Sequence, residues 1–464
     1  MKKYDAIIIG TGGGAKIASS LLKLGKKIAV IEDSKPGGTC LNRGCIPSKM
    51  LIHPSHIAED LNRLSDFNIT NNNFKLQIQD LTKRINEYTD GVSDSISSFY
   101  TNNENVDFYK GVGSFSSNNI VSVLDQTLTA PLIFIATGSR ARIPNIKGLY
   151  HCPFITATEA LKAKKIPKKI TIIGGGFIAF ELGSAYSAFG SEVTFLIRSK
   201  GVKSLDSEVR DHYYEAIKDK FRIIENVNFE EIEYVEKEFI VNFHQDNIKQ
   251  SIKSDSLLIA AGIIPNSDNL NLGSTDIKVS SSGFITVNDF LETDVAGVYA
   301  LGDVVGNFLF RHSVNFEAEY LIKSLYIKDK IEAIKYPPMP EAVFTSPEIS
   351  SVGLTEQEAI KHNIDYYIGR GYFTKSAMGK ARVLKDGLVK LIFNSKTDVL
   401  IGAHIVGSES STLIHQLVLA ISNNLTIFNL YDDMIYIHPA LNEIVRDAVR
   451  SALKNQHPQY KLLF

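Results

Sequence analysis

No stretch of this chain approaches the roughly 20 consecutive apolar residues of a membrane span, so no spanning helix is expected. Cysteine is scarce: 3 in 464 residues, which excludes a small scaffold stapled by disulfides. Charge of neither sign is in excess. The 50 Lys and Arg against 51 Asp and Glu leave no global electrostatic case for nucleic acid or an anionic membrane surface. Low-complexity tracts are absent. A secretory leader is not expected either, because the apolar run after Lys3 is about five residues long and leads straight into glycines, as a first β-strand would. The expectation is a cytoplasmic protein of ordinary globular composition, 44% hydrophobic and 22% charged. Its length is too great for one hydrophobic core, so two to four domains of roughly 100–200 residues are expected.

What the chain does contain is a pattern that occurs twice. An apolar strand at 4–9 runs into Gly10-Thr11-Gly12-Gly13-Gly14-Ala15, and another at 170–173 runs into Gly174-Gly175-Gly176-Phe177-Ile178-Ala179. Each glycine loop opens a helical pattern that ends near a glycine, Gly25 or Gly190, and a further apolar strand follows at 27–31 or 192–197. That is βαβ twice, the unit of a dinucleotide-binding fold. Strands at 132–136 and 257–260 lead into Thr137-Gly138 and Ala261-Gly262 and extend the likeness. The segment 57–109 reads as polar, helix-like and inserted. Pro337-Pro338-Met339-Pro340 reads as a linker, and strands at 387–393 and 399–406 with helices at 411–423 and 440–453 form a third, α+β unit beyond it.

The first loop fits G-x-G-x-x-G/A at Gly10, Gly12 and Ala15. Gly10 allows the turn, Gly12 lets backbone approach a pyrophosphate at a positive helix end, and Ala15 permits close helix–strand packing. Glu32 ends the next strand, 22 residues after Gly10, where a carboxylate can accept from ribose hydroxyls. The second loop repeats the pattern, but its following strand ends in Ile197-Arg198-Ser199-Lys200, with Lys203 close behind. A carboxylate there would repel a 2′-phosphate, whereas a guanidinium binds one, so NADP is favoured over NAD. A solvated basic turn is the alternative.

Cys40 and Cys45 lie five apart around Gly44, close enough for a small disulfide loop if the backbone turns tightly. A helix N-terminus or a cation nearby would activate such a thiol. Zinc binding with His53 and His56 is disfavoured, because the spacing before His53 and within His-x-x-His is tighter than in zinc fingers. No metal site is expected. His438 could act as a base with a pKa near neutrality if Glu443 folded back onto it. Cys152, His312, His404 and His415 have no such context and read as structural.

Thr39-Cys40-Leu41-Asn42-Arg43-Gly44-Cys45-Ile46-Pro47-Ser48-Lys49 resembles the active-site signature of the class I pyridine nucleotide–disulfide oxidoreductases. The resemblance covers essentially the whole chain, in family order, through Ala300-Leu301-Gly302-Asp303 to His438-Pro439. It implies an α/β fold with two Rossmann-like domains, for FAD and NAD(P), and a C-terminal α+β dimerisation domain. The expected boundaries are 1–149 and 267–336 for the FAD-binding domain, 150–266 for the NAD(P)-binding domain and 337–464 for dimerisation. It also implies roles. Cys40 would exchange with substrate and Cys45 would face the flavin, with Lys49 near the flavin and paired to Glu181. Gly38, Thr39, Gly113, Thr137, Gly138 and Asp303 would line the FAD site. Gly174, Gly176, Phe177, Ala179, Arg198, Lys203 and Gly262 would line the NAD(P) site, with Phe177 over the nicotinamide position. His438 and Glu443 would reach the disulfide of the other subunit, so the active site would be shared in a homodimer.

Cys-x4-Cys followed by Ile-Pro-Ser-Lys looks most like dihydrolipoamide dehydrogenase, acting on a lipoyl group or another small disulfide. Glutathione reductase is disfavoured by Met50-Leu51-Ile52-His53, and mercuric reductase by a C-terminus without cysteine. Arg198 departs from dihydrolipoamide dehydrogenase, and the stretch 310–318 looks more like mycothione reductases, which keeps an NADPH-dependent low-molecular-weight disulfide reductase as the alternative. Arg43 either biases a thiolate or faces solvent. A flavoprotein oxidase or transhydrogenase without disulfide exchange is a further alternative.

Overall fold

In the computed structural model, which describes residues 1–70, 75–328, 330 and 332–463, the apolar run Ala6–Ile9 is a strand buried along its whole length. Ile28–Glu32 beside it is equally buried. Continuous Ile/Val/Ala runs of this kind suit a parallel sheet covered on both faces. The sheet has five parallel strands in the order Val298–Ala300, Leu132–Ile135, Ala6–Ile9, Ile28–Glu32, Val106–Lys110. The crossover helix Gly14–Lys23 turns Ile17, Ala18 and Leu21 onto it.

The second half repeats this. Phe221–Ile224, Glu192–Leu196, Lys169–Ile173 and Ser256–Ile259 form a four-stranded parallel sheet, crossed by the Phe177–Ala188 helix. The two halves match in strand order and in detail. Gly10 has φ +97°, and a Cβ there would lie 2.3 Å from the Ala136 carbonyl oxygen; Gly174 has φ +139°, and a Cβ there would lie 2.1 Å from that of Ala260. Each first glycine is therefore required by the same close approach to the corresponding return strand. Immediately after those return strands, Ser139–Ala141 and Ile263–Pro265 pair with each other antiparallel, stitching one half to the other.

Each half also carries an antiparallel meander that the sequence reading did not anticipate. Ser114–Ser117, Ile120–Val123 and Gln126–Thr129 form one, extended by Lys2–Lys3, and Asn228–Val235, Glu238–Gln245 and Ile248–Ser254 form the other. The segment 57–109 needs a correction. It holds the end of the helix Cys45–Asn62 and the long helix Ile78–Thr101, while residues 71–74 lie outside the described residues. Its last part, Val106–Lys110, is an edge strand of the first sheet, paired parallel with Ile28–Glu32, with Val106 and Tyr109 buried and Lys110 exposed.

Beyond 340, five antiparallel strands run in the order Glu341–Val343, Ile349–Gly353, Leu400–Val406, Leu388–Asn394, Tyr366–Tyr372. The helix Glu443–Gln456 lies against the last of these. Gly369 and Gly371 allow it: a Cβ on either would sit 2.1 Å from a helix carbonyl oxygen, of Ala448 or Ile444. This contact fixes the position of Glu443. A buried ionic cluster ties the sheet to the second nucleotide half. Lys390 is fully buried, with Asp206 at 2.8 Å, Glu208 at 3.0 Å and Glu356 at 2.5 Å. Among the described residues no helix is long and apolar enough to cross a membrane.

Candidate active site

The cysteines sit where two short-range features meet the first glycine loop. Gly37 and Gly38, at φ +104° and +68°, bring the helix Gly38–Arg43 down onto that loop. A Cβ on Gly38 would lie 2.5 Å from the Gly12 Cα, so two bare backbones touch there. Thr11 ties the contact: its hydroxyl accepts from the Gly37 N–H at 2.9 Å and donates to Glu32 at 2.5 Å, while its N–H donates to the same Glu32 oxygen at 2.9 Å. Thr11 was not read as a site residue from the sequence. A hydroxyl between two loop glycines is the only local signal for it.

Cys40 lies in the first of the two helices and is half-buried; Cys45 opens the helix Cys45–Asn62 and is exposed. The two thiols hydrogen-bond to one another, and one proton serves both. The bond from Cys40 brings Cys45 down to about 7, with help from the charges of Lys49 and Arg311. The same bond and burial push Cys40 up. A helix N-terminus at Cys45 acts in the same direction as those cations. In the dithiol, then, the charge belongs on Cys45 and the proton on Cys40. Arg311 is the first residue of the helix Arg311–Tyr326, remote in sequence. It acts on both thiols, whereas Arg43, half-buried, does not rank among the main influences on either.

One turn after Cys45, Lys49 meets Glu181 at 2.9 and 2.8 Å, one contact to each carboxylate oxygen. The pairing arises because the helices Cys45–Asn62 and Phe177–Ala188 pack together. Glu181 is buried, also accepts from the Phe344 N–H at 3.1 Å, and Lys49 lies 4.3 Å over the Phe344 ring. Phe177 starts the same helix and is half-buried.

The remaining residues of the first half converge on one end of its sheet. Burial pushes Glu32 up against the hydrogen bonds from Thr11 and Ser34. Gly113 packs against the ends of both neighbouring strands, a Cβ there lying 3.2 Å from Ile31 and 3.4 Å from Ile9. The Thr137 hydroxyl donates to the Asn266 carbonyl at 2.8 Å, beside Gly138. Asp303 accepts from the Ser139 hydroxyl at 2.7 Å, and burial pushes it up. The closest helix–strand approach is not at Ala15 but at Gly14, where a Cβ would lie 2.5 Å from Ile8; the helix begins at Gly14, and Ala15 is only half-buried.

Both loops fit a dinucleotide on the evidence of their open backbone. A Cβ on Gly12 would meet nothing nearer than the Gly38 Cα at 3.9 Å, and one on Gly176 would meet nothing within 4 Å. In the second half, Ala179 is fully buried and Gly262 has φ +104°. The basic turn lies directly against the second loop: the Val202 N–H donates to the Gly175 carbonyl at 2.7 Å. Glu225 anchors that turn, accepting from the Gly201 N–H at 2.7 Å and the Tyr214 hydroxyl at 2.6 Å. Arg198, Lys200 and Lys203 are all exposed.

At the far end of the chain, His438 Nδ1 lies 2.9 Å from Glu443 Oε2. The imidazole is 70% exposed while Glu443 is 5% exposed, so a fixed carboxylate presents a ring at the surface. Burial pushes Glu443 up, but the His438 bond and the Arg446 charge outweigh it and hold Glu443 below the usual carboxylate range. The neighbouring Ile435 and Ile437 are strongly exposed. His404, in contrast, is buried and bonded to the Leu354 carbonyl at 2.9 Å. Among the described residues no three His, Cys, Asp or Glu side chains come together as a metal cluster.

Comparison with known proteins adds an independent line. Residues 4–326 match the family model described as pyridine nucleotide-disulphide oxidoreductase, and residues 339–449 match that of its dimerisation domain. Dihydrolipoyl dehydrogenase of Bacillus subtilis is 32% identical over 464 residues, covering 97% of this chain and 96% of the relative. Mercuric reductase of Bacillus cereus is 32% identical over 444 residues, covering 93% of this chain and 69% of the relative. Among solved structures, the HOCl-induced flavoprotein disulfide reductase RclA from Escherichia coli superposes with a TM-score of 0.85 at 28% identity, over 96% of this chain and 99% of that one.

Proposed function

The chain belongs to the pyridine nucleotide–disulphide oxidoreductase family, and from that premise we propose that it moves two electrons between NAD(P)(H) and a small dithiol or disulfide of lipoyl type, through Cys40 and Cys45. It is an oxidoreductase that acts on sulfur with FAD and NAD(P). The observation that carries the reading is the polarised thiol pair on the first glycine loop, one turn from the Lys49–Glu181 pair. FAD, when bound, supplies the two-electron link between the nicotinamide and the cysteines.

The residues that would hold FAD are Gly10, Gly12 and Gly38 at the pyrophosphate, Glu32 at the ribose, Gly113 at the adenine, and Thr39, Thr137, Gly138 and Asp303 along the rest. Thr11 already engages Glu32 Oε2 twice, through its N–H and its hydroxyl, whereas Oε1 accepts only from the Ser34 N–H and keeps a second lone pair for a ribose hydroxyl. Gly174, Gly176, Phe177, Ala179 and Gly262 would take NAD(P)(H).

In the reducing direction, the Cys40 thiolate attacks a substrate disulfide and forms a mixed disulfide, expelling one substrate thiolate. The Cys45 thiolate then attacks Cys40 Sγ, re-forms the Cys40–Cys45 disulfide and expels the second. The two electrons of the pair have passed to substrate; the Cys40 proton goes to one leaving thiolate and solvent supplies the proton for the other. Because the shared proton rests on Cys40, a base must remove it before the attack, and His438, held by Glu443, is suited to that task. The family resemblance assigns this base to the partner subunit of a homodimer, in line with the dimerisation-domain match. Oxidation of a dithiol runs the same steps in reverse.

NADPH-dependent reduction of a small disulfide is a second reading. It is favoured by one observation, the three exposed cations of the turn 198–203 against the second loop. A charge-assisted bond to the 2′-phosphate is worth about 1.5–3 kcal/mol, so NADPH is expected to exceed NADH in kcat/KM by at least about tenfold. Arg198→Ala should lose about 10- to 100-fold with NADPH and little with NADH. Steady-state rates with both nucleotides, across lipoamide, glutathione disulfide and mycothione-type disulfides, check this. A tenfold preference for NADH would rule it out.

A further inference from the structure

We propose that Arg446 is a positioning residue that sets how strongly Glu443 supports a proton on His438, by engaging the carboxylate oxygen that the imidazole leaves free. The inference rests on His438–Glu443 being the base pair of the reaction.

The geometry divides the carboxylate between two partners. Oε2 faces His438 Nδ1 at 2.9 Å and the Ala440 N–H at 3.4 Å, while Oε1 accepts from Arg446 Nη2 at 2.7 Å. Glu443 is 5% exposed and Arg446 25%, so water screens the contact little. An i,i+3 pair on a surface helix is worth only a few tenths of a kcal/mol. Stabilising this helix is a poor explanation for Arg446, since a cation in a first turn opposes the helix dipole. What the half-buried guanidinium does here is withdraw charge from the carboxylate on the side away from the ring. Without it, all of the Glu443 charge supports the imidazolium, and His438 gives up its proton less readily.

The other ionisable groups around the pair are few. On the same helix, Asp447 lies 3.8 Å from Arg446 and 3.9 Å from Arg450. Before it, the Tyr436 hydroxyl donates to the Leu430 carbonyl. Of the strands packed on this helix, Arg370 and Lys390 are held by Glu208 and Asp206, Tyr366 by Glu356 and Tyr367 by Asp398. From the helix Ile427–Asp432, Tyr431 packs on Tyr460, and Asp432 acts on Tyr460 too.

The test is the pH profile of kcat/KM for the full-length FAD-loaded protein with NADPH and whichever of lipoamide and dithionitrobenzoate turns over. Arg446→Gln, and Arg446→Met with its uncharged side chain of similar reach, should move the acidic limb up by roughly half to one pH unit. On the acid side of that limb the rate then falls about three- to tenfold. Arg446→Lys keeps the charge and should restore the wild-type limb. The inference is overturned if Gln and Met lower the rate equally at every pH with the limb unmoved, or move it down. His438→Ala separates the two readings. If it retains the wild-type limb and rate, the base assignment itself fails; if it abolishes the limb while Arg446→Gln leaves it in place, only the role of Arg446 fails.

Discussion

Cys40→Ser will lower disulfide turnover by at least about a thousandfold, the scale on which removal of an enzyme nucleophile acts. NADPH will still bleach the flavin band of this variant, because the nucleotide loops and the Lys49–Glu181 contact do not involve Cys40. A serine hydroxyl titrates far above a thiol, so neither Lys49 nor Arg311 can make it an attacking anion near neutrality. An oxidase or transhydrogenase that does not use the cysteines would keep full turnover. The variant also tests the shared site. His438→Ala homodimers retain Cys40, and Cys40→Ser homodimers retain His438. If each site takes its cysteines from one subunit and its base from the other, random re-association gives half heterodimers, each with one complete site. Mixing is then expected to recover roughly a quarter of wild-type turnover from two nearly inactive samples. No recovery, with heterodimers demonstrated, would place both groups in one subunit.

Lys390→Met will destabilise the fold by about 3–5 kcal/mol, the usual cost of leaving a buried charge without its partner. Asp206 is as deeply buried as Lys390 and would keep only the N–H groups of Glu208, Val209 and Glu356. The pH dependence follows from the shifts. Asp206 and Glu208 are held below the usual carboxylate range: burial opposes this, but Lys390 and Arg370 outweigh it. Their contribution is present above the unfolded carboxylate pKa and is lost as pH falls through the lowered folded values. Lys390 is raised, again against burial, by Asp206 and Glu356. Its contribution is present below the unfolded lysine pKa and is lost as pH rises through the folded one. The wild-type network is therefore flat from about pH 5 to 9. In Lys390→Met the Asp206 carboxyl would rise instead, so the penalty should be smallest near pH 4–5 and grow toward pH 8. Denaturant unfolding at both pH values reads this; an equal penalty at both would mean that Asp206 finds another partner.

What could be read from the sequence was local. Gly10 and Gly174 announce themselves because only glycine fits against the Ala136 and Ala260 carbonyls, and the strand, loop and helix around each occupy about 30 consecutive residues. Cys40 with Cys45, and His438 with Glu443, are likewise joined by spacing alone. Lys390, Arg311 and Thr11 were not legible. The partners of Lys390 lie on other elements, Asp206 184 residues away in sequence, and no periodicity connects a lysine in an apolar strand to an aspartate at a helix start. The meander 228–254 did carry a signal that went unread. Asp246 and Asn247 both take positive φ at a two-residue hairpin turn, the chemistry such turns require. Val106–Lys110 is illegible for the opposite reason: its buried residues, Val106 and Tyr109, are three apart and give no period-two pattern beside the long helix before them.

The central claim is that Cys40 and Cys45 alternate between disulfide and dithiol as the enzyme works. Alkylation of the native protein before and after anaerobic NADPH, followed by peptide mapping, tests it most directly. The oxidised enzyme is expected to yield a cross-linked peptide containing both residues, with Cys152 labelled equally in both states after denaturation. NADPH should release two alkylatable thiols, at positions 40 and 45. Labelling of Cys40 and Cys45 to the same extent before and after NADPH would contradict the account.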